Sequence, residues 1–571
     1  MVSAFFRSLS VPSTTPSRRS FVAFSVLAGV GLPVLAGCDL PGASKAKDSA
    51  SANGSASAKG KAKAGSTDWQ KLDAHIMGHK VAIRVSPVIR KNDTTSIMAL
   101  ELTRAKDDAS IDRVKTDSSD TEDNKLNISS YLGTPSIYRP GTGASLVKLL
   151  DLGSGRVWSA TDGSGADDGF LEITPGEKTT SYLSFGKVDT DTVTVMVPMA
   201  GFTTVSVLEA DAAKKASIDL DAASSNLDQF PDAATELAKP ATIERYTRAL
   251  DDSTSTHTGD KDVTVTLNSD VTFASDSADL TPAADTQLQT VADQLDQYPD
   301  GGTLTIVGHT DDVQDDAYNQ TLSEKRANAV KTKLQQLTDL DKWNPTTTGK
   351  GESEPRVKDT TDEARAANRR VEITLTPTGG TTPKDSNTSA TPSNGSGSDS
   401  GKLPAPQGPV AKGSKGVTLT SKGTDTSGEV TITLDHLTRQ DGYLLGTITC
   451  TVKDGSTGAP LHPLLEDPQT LLANQRDEDG SALPTFNDSD GLTLIASGER
   501  IFPADYLDAD AKHHLPLTEL NISDHLKTGT TTICTIWPDP GGDTITLDHP
   551  EGKYSPKGTA YRLTDIPIKN S

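Results

Sequence analysis

The order of apolar and polar residues divides the chain into two outer stretches rich in strands and a middle stretch of alternating strands and helices. Residues 81–90 read VAIRVSPVIR and residues 430–439 read VTITLDHLTR, so both follow the pattern V-x-I-x-aliphatic-x-x-aliphatic-x-R. Both outer stretches close with further alternating segments, TDTVTVMVP and TTTICTIWP. Alternation with a period of two residues predicts strands that bury one face.

A second shared motif shows that the outer stretches resemble each other over much of their length. SGRVWSA at residues 154–160 and SGERIFPA at residues 497–504 each lie about 70 residues after the first motif. Two motifs in the same register predict a duplicated antiparallel β-sandwich, with one copy at 69–215 and the other at 417–571. Both copies resemble the immunoglobulin-like modules of bacterial surface lipoproteins.

Between residues 255 and 378, strand patterns alternate with helix patterns. Apolar alternation predicts strands at 263–267, 304–307 and 371–375. Helical spacing of apolar residues predicts one helix after Thr281, a second that contains residues 322–337, and a short third helix at 362–368. Thr281 is expected to cap the first helix, with Pro282 at its first position. The alternation predicts an α/β sandwich in which a βαβαβ-type sheet carries its helices on one face.

Low-complexity segments separate these stretches. Residues 38–68 and 379–416 consist largely of small and polar residues, which predicts a flexible tether and a flexible linker. Residues 216–254 form a third connection, in which we expect 233–250 to be helical. The sequence therefore predicts three folded domains joined by linkers.

The start of the chain carries the pattern of an exported lipoprotein. An apolar run at 21–35 follows Arg18 and Arg19 and leads into Leu-Ala-Gly-Cys, which ends at Cys38. The run has the length of a signal-peptide core and is short for a membrane span. The arginine pair resembles a twin-arginine export signal, and Leu-Ala-Gly-Cys resembles a bacterial lipobox. The resemblance implies a signal peptide at 1–37, acylation of Cys38 by chains such as palmitate, and a lipid-anchored protein on the extracytoplasmic face of the cell membrane, associated with the cell wall.

Charge and cysteine content narrow the possible partners. The formal net charge is −23, and 34% of the residues are hydrophobic. Such acidity argues against nucleic acid as a ligand, because phosphate binding needs a basic surface. Cys450 and Cys534 both lie in predicted strands, and outside the cell cysteines can pair. We therefore expect a disulfide between Cys450 and Cys534, with two buried free thiols as the alternative.

Three separated motifs in the middle stretch carry a family resemblance. They are Phe273 within VTFASDSADLTP, the sequence GHTD at 308–311 followed by LSEKRA at 322–327, and NRRV at 368–371. In this order they resemble the OmpA-like peptidoglycan-binding domain, over residues 262–377. The resemblance implies that Asp311 and Arg326 clasp the diaminopimelate of a peptidoglycan stem peptide. The neighbouring residues that it implies are Thr310, Asn319 and Leu322 in the pocket, with Asn368 and Arg369 behind them.

The chemistry of that ligand fits these two side chains independently of the resemblance. The free end of diaminopimelate is an amino acid zwitterion, for which a fixed carboxylate beside a planar guanidinium is complementary. Asp312, Asp315 and Asp316 add negative charge and favour a cationic ligand. Two positions depart from the family pattern, since Asp359 stands where Asn is frequent and Ala364 where Gly is usual.

The sequence favours a non-enzymatic function without cofactors or metals. No nucleophile motif surrounds His309, which we expect to be a turn or core residue, and His75 and His79 lack the glutamate of a zinc helix motif. An alternative is a cell-wall-targeted enzyme or adhesin whose activity lies in the sandwiches, which could also bind a protein partner. A stator-like channel component would need an uncleaved membrane helix with a functional carboxylate, and residues 21–35 contain none.

Overall fold

The structure is a computed structural model that describes residues 64–108, 113–115, 124–133, 143–160, 171–223, 237, 239–381, 403–453, 456–466, 488–507, 514–522, 525–551 and 557–571. The export signal at Arg18 and Arg19, the lipobox at Cys38 and most of the tether lie outside the described residues. Within these ranges no helix is long and apolar enough to cross a membrane.

The first block, residues 64–223, consists mainly of strands. Its elements are β1 Gln70–Ile76, β2 His79–Val85, β3 Val88–Arg90, β4 Thr95–Arg104, β5 Val114–Lys115, β6 Leu126–Asn127, helix α1 Ser129–Leu132, β7 Lys148–Asp151, β8 Arg156–Ser159, β9 Glu172–Ile173, β10 Lys178–Gly186, β11 Thr192–Val197 and β12 Gly201–Glu209. A single 3-10 turn, Ala210–Ala212, follows β12. A separate strand, β13 Ala241–Ala249, leads out of the block.

The middle domain, residues 254–381, alternates strands and helices. Its elements are β14 Thr254–Thr258, β15 Val263–Asn268, α2 Ser269–Thr272, α3 Pro282–Asp296, β16 Gly302–Gly308, α4 Asp316–Leu337, β17 Trp343–Gly349, α5 Asp362–Asn368 and β18 Arg370–Pro377. The strands lie in the order β14-β15-β18-β16-β17, with only β16 and β17 parallel. Helices α3 and α4 share one apolar core with the sheet. The predicted strands and helices of this domain are confirmed.

The last block, residues 403–571, again consists of strands. Its elements are β19 Val410–Lys412, β20 Val417–Lys422, β21 Ser427–Thr433, β22 Leu437–Gln440, β23 Tyr443–Val452, β24 Ala459–Pro460, a 3-10 turn His462–Leu464, β25 Thr493–Ala496, β26 Glu499–Ile501, β27 Asp505–Leu507, β28 His514–Pro516, β29 His525–Leu526, β30 Gly529–Pro538, β31 Thr544–His549 and β32 Tyr561–Asn570. The end of the predicted linker 379–416 is therefore part of a sheet, since β19 pairs with β32.

The strand pairings of the two blocks repeat. In the first block β2 pairs with β1 and β4, β4 pairs with β3 and β10, and β3 pairs in parallel with β12. From β12 the pairing continues through β11 and β7 to β8. The last block repeats every one of these pairings. There β20 to β23 correspond to β1 to β4, and β30, β31 and β32 correspond to β10, β11 and β12. The remaining equivalents are β25 for β7 and β26 for β8. This topology confirms the predicted duplication, while the likeness to immunoglobulin-like modules remains a prediction.

The sequence led us to expect two separate sandwiches. In the structure the first and last blocks instead share one core. One buried cluster contains Ile83 and Val195 of the first block together with Ile448 and Trp537 of the last, all of them inaccessible to solvent. The Met77 N–H donates to Thr531 Oγ1 at 3.1 Å across this junction. Apolar burial on this scale makes the two blocks one packed body.

Strand β13 corrects the helix predicted at 233–250. Its first residues pair with β8, its last residues pair with the equivalent strand β26 of the other block, and it also pairs with β14 of the middle domain. The segment contains Thr242, Ile243 and Tyr246, which are residue types that fit a sheet. Partners on both edges satisfy its backbone, so tertiary pairing decides its conformation.

The predicted disulfide is absent from the structure. Cys450 lies opposite Thr531 and Cys534 lies opposite Thr447 on the neighbouring strands β23 and β30. The two cysteines are thus offset by an odd number of residues and point to opposite faces of the sheet, where the sulfurs cannot meet. Both are free and buried, and burial raises the pKa of Cys450 to about 12. The alternative of two buried thiols is the one that the structure shows.

Candidate functional site

The site forms where helix α4 crosses the ends of β16 and β17. A Cβ at Gly308 would lie 2.2 Å from the Ser323 carbonyl oxygen, and a Cβ at Gly349 would lie 2.4 Å from the Ser323 hydroxyl. Because any side chain at these two positions would push the helix away, the glycines allow α4 to lie directly against both strand ends. This close approach fixes the height of the α4 side chains above the loop that follows β16.

One face of α4 carries three of the predicted residues. Asp315 caps the helix by accepting the N–H of Tyr318 at 2.9 Å. Asn319, Leu322 and Arg326 then follow at spacings that place them on the same face. The Asn319 amide is buried and donates to the Asp311 carbonyl at 3.2 Å and to Glu352 Oε2 at 2.6 Å. Asn319 thereby ties the loop carrying Asp311 to the helix, while Leu322 is half-buried beside it.

Arg326 is a buried cation. Its residue surface is 5% exposed, its guanidinium lies 5.2 Å from the centre of the Phe273 ring, and Nε donates to the Ser277 carbonyl at 3.0 Å. In the described part of the chain, no carboxylate forms an ion pair with it. Burial lowers the pKa of Arg326, and the nearby Asp270 and Asp276 partly oppose that effect. A buried charge without a bonded counter-ion is unfavourable, so this position favours an anionic ligand group.

Asp311 lies at the centre of a row of charges. Its side chain is 15% exposed, and its Oδ2 accepts Nη1 of Arg369 at 2.7 Å. Arg369 also grips Asp270 with two bonds, from Nε at 2.7 Å and from Nη2 at 2.6 Å. Asp270 and Asp311, in that order of effect, raise the pKa of Arg369 above its ordinary value. The row Asp270–Arg369–Asp311 therefore carries a net charge of minus one beside the cation of Arg326.

The remaining predicted residues hold the walls of the site. The Thr310 N–H donates to the Gly351 carbonyl at 2.9 Å, while its buried hydroxyl has no partner among the described residues. Asn368 accepts the N–H of Val357 at 2.8 Å and donates to its carbonyl at 3.0 Å, so it fixes the loop before α5. Asn368 thus acts on the loop rather than facing a ligand directly.

His309 is a core residue, as predicted. It is 2% exposed, and its Nε2 lies 3.8 Å from Glu372 Oε2. Burial alone would raise the pKa of Glu372, but His309 and Arg370 lower it to about 2. The pair is part of the packing beneath the site.

The aspartates at 312 and 315, which the sequence led us to expect as free negative charges near the site, are both engaged within the domain. Asp312 pairs with Arg365 of α5 at 2.8 Å, and this hydrogen bond lowers the pKa of the aspartate. Asp315 is used as the helix cap. Of the two positions that depart from the family pattern, Asp359 is exposed and accepts the N–H of Thr360, while Ala364 is buried in the first turn of α5. Both positions lie in the segment that leads into Asn368 and Arg369.

Sequence reasoning missed Asp270 and the partnership of Arg326 with Phe273. Asp270 stands 99 residues before Arg369, so no local pattern links the two. The available signal was an aspartate in the first turn after a strand, directly before the VTFASDSADLTP motif that contains Phe273.

The described residues contain no group of three or more His, Cys, Asp or Glu side chains arranged to hold a metal.

Comparison with known proteins locates this site within a family. A family model described as the OmpA family matches residues 272–369. Protein YfiB of Escherichia coli is 36% identical over 111 residues, which are 19% of this chain and 68% of that protein. The chain belongs to the OmpA family. Outer membrane porin F of Pseudomonas aeruginosa is 42% identical over 108 residues, and the probable lipoprotein YiaD of Escherichia coli is 37% identical over 123 residues.

The OmpA family model matches within the middle domain, and this chain spans only part of the length of these relatives. The match to porin F covers 19% of this chain and 31% of that protein, and the match to YiaD covers 21% and 54%. A solved MotB-like protein from Desulfovibrio vulgaris is 33% identical over 21% of this chain and 77% of its own, with a TM-score of 0.19.

Proposed function

We propose that this protein is a non-enzymatic, lipid-anchored component of the cell envelope that binds peptidoglycan through the middle domain. The ligand is the diaminopimelate of a stem peptide, whose free end carries an ammonium and a carboxylate on one carbon. Asp311 receives the ammonium, and Arg326 receives the carboxylate. The membership of the OmpA family and the resemblance of the GHTD and LSEKRA motifs to its peptidoglycan-binding domain support this assignment.

The single observation that carries the proposal is the state of Arg326. It is nearly buried and has no ion-pair partner among the described side chains, although Asp270, Asp276 and Asp311 lie near enough to influence its pKa. A carboxylate bound to a guanidinium forms charge-assisted hydrogen bonds that are stronger than neutral ones. A ligand carboxylate at this position would supply the counter-ion, while the adjacent row of net negative charge would attract the ammonium of the same ligand.

Anchoring to the membrane is the second part of the proposal and rests on the sequence at Cys38. The tether between Cys38 and the first block has about 28 residues, which as a random coil span roughly 30 Å and when pulled straight about 90 Å. That reach suits a protein held in a membrane and bound to a nearby wall.

Binding to purified sacculi tests the proposal directly. The full chain should sediment with sacculi, and Asp311→Ala should reduce the bound fraction by at least about tenfold, since the ligand ammonium loses its charged partner. Asp285→Ala is the matched control, because Asp285 is also an ion-paired aspartate of this domain but bonds to Lys333 on the helices. Equal sedimentation of the wild type and Asp311→Ala would refute the assignment.

A further inference from the structure

Asp270 belongs to no motif that the sequence analysis singled out, yet its position is tightly fixed. It lies in the first turn of α2, and its N–H donates to Asn268 Oδ1 at 3.0 Å. The preceding Ser269 N–H donates to the carbonyl of Arg369 at 3.0 Å. The Arg369 backbone is therefore bonded to the backbone of Ser269, the residue before Asp270. This bond holds the Asp270 carboxylate against the Arg369 guanidinium.

Arg369 divides its hydrogen bonds unequally between its two carboxylates. A guanidinium can offer a pair of parallel N–H groups to one carboxylate, and here the pair formed by Nε and Nη2 is given to Asp270. Asp311 receives only Nη1, on Oδ2. Its other oxygen, Oδ1, accepts a single long bond of 3.3 Å from the Val313 N–H. One oxygen of Asp311 is thus left with room for a further donor.

We propose that Asp270 is a positioning residue that turns the Arg369 fork away from Asp311 and so keeps the Asp311 carboxylate available for an ammonium group. The inference rests on the proposed function, because it concerns the same site. Without the negative charge at position 270, Arg369 has one carboxylate left and can present both parallel N–H groups to it. The row of charges then changes from a net minus one to zero, and Asp311 has no free oxygen for the ligand.

The consequence is a selectivity that depends on a residue outside the pocket. A ligand with a free ammonium gains from the open oxygen of Asp311, whereas a ligand whose nitrogen is acylated has no positive charge to place there. Asp270→Asn should therefore weaken binding of the first ligand by about tenfold and leave the second nearly unchanged, since removing one of two charged contributions at a partly buried site typically costs about that factor.

Calorimetric titration of the full chain with two muropeptides tests this inference. The muropeptides differ only at the distal nitrogen of diaminopimelate, which is a free ammonium in one and N-acetylated in the other. For Asp270→Asn we expect the ratio of the two dissociation constants to fall about tenfold. Asp270→Glu, which keeps the charge, should restore most of the ratio, and Asp285→Asn should leave it as in the wild type.

Each other outcome overturns the inference in a recognisable way. If Asp270→Asn weakens both ligands equally, the residue only supports the fold of the site, and if it changes neither ligand, the Arg369 fork does not depend on it. If the wild-type chain binds neither muropeptide, the proposed function fails, and this inference fails with it.

Discussion

Arg326 differs from the other arginines around the site because it is buried beside an aromatic ring and has no ion-pair partner among the described residues. Arg369, Arg365 and Arg370 all have carboxylate partners at 2.8 Å or less. The distinction separates arginines whose charge is paired within the folded domain from one whose charge is not. At the scale of single residues, the proposed binding specificity depends on which charge the fold leaves uncompensated.

Replacing Arg326 by lysine should weaken ligand binding although the positive charge remains. A lysine ammonium is a point charge that cannot offer two parallel N–H groups or stack flat on the Phe273 ring. We expect a loss of about 2–4 kcal/mol, or roughly 30- to 1000-fold in the dissociation constant. Titration of a free-ammonium muropeptide measures it, with Lys325→Ala as the control on the exposed side of α4.

The ligand side of the same contact gives a complementary check. A stem peptide with lysine in place of diaminopimelate lacks the distal carboxylate, and wild-type affinity for it should fall by a similar factor. The Arg326→Lys chain should distinguish the two stems much less than the wild type does. Equal wild-type affinity for both stems would show that Arg326 does not bind a carboxylate.

Glu519 is a second buried ionisable group, and it lies at the junction of the two blocks. It is 1% exposed, and its Oε1 accepts the N–H of Met199 in the first block at 2.7 Å and of Cys534 in the last block at 2.9 Å. Burial raises the pKa of Glu519 to about 7, although the two N–H donors act in the opposite direction. The folded chain therefore holds a proton that the unfolded chain releases near its ordinary pKa of 4.5.

The stability of the paired blocks should therefore fall as the pH rises. Because the folded pKa is above the unfolded one, the stabilising contribution is fully present below pH 4.5 and is lost as the pH rises through about 7. The full difference corresponds to about 3 kcal/mol. Glu519→Gln keeps an acceptor oxygen and removes the titration, so its urea unfolding curves should vary less between pH 5 and 8. A slope equal to that of the wild type would contradict this role.

At the scale of elements, β13 joins parts of the chain that the sequence analysis had separated. Thr247 lies opposite Thr256 of the middle domain and opposite Ile501 of the last block. The burial pattern of this strand shows no clean alternation, since only Ile243 and Tyr246 are buried. A strand with neighbours on both edges but little apolar burial gives a weak sequence signal.

A proline at position 247 should uncouple these neighbours. Proline has no N–H and does not fit a strand that is paired on both sides. Loss of one ladder hydrogen bond costs about 1 kcal/mol, so amide exchange in β14 and β26 should become about fivefold faster or more. Thr247→Val keeps the N–H and should exchange like the wild type. Unchanged exchange in Thr247→Pro would mean that β13 does not hold the middle domain to the blocks.

The elements that were predicted correctly share a local cause. The start of α3 at Pro282 and the apolar spacing along α4 are encoded within a few residues, although the Thr281 hydroxyl donates to the Val271 carbonyl and does not cap α3 as predicted. By contrast, the placement of Cys450 and Cys534 depends on the strand register between β23 and β30, and the bond between Asp270 and Arg369 depends on the docking of α2 beside β18. The sequence could place Asp311 and Arg326 near each other because their motifs are short, and their role in binding stays a prediction, whereas the charges around them come from distant parts of the chain.

For the molecule as a whole, the proposed function requires that the chain reaches the envelope and stays there. The Leu-Ala-Gly-Cys sequence predicts that Cys38 carries lipid, and metabolic labelling with a fatty-acid probe in a bacterial host should label the wild type. Cys38→Ala should abolish the label and release the protein from the membrane fraction. Label that persists in Cys38→Ala would refute the anchor, while the sacculus-binding test of Asp311 would still stand on its own.

The shared core of the two blocks has a consequence for the time course of synthesis. The bond between Met77 and Thr531 spans 454 positions of the chain. At the usual rate of roughly 5–20 residues per second, a ribosome needs about 20–90 s to travel from one partner to the other. During that interval the first block has no last block to cover its apolar face, and the middle domain, residues 254–381, is completed only in the later part of it. We therefore expect a chaperone that binds nascent chains to cover the apolar face of the first block until the final strands emerge.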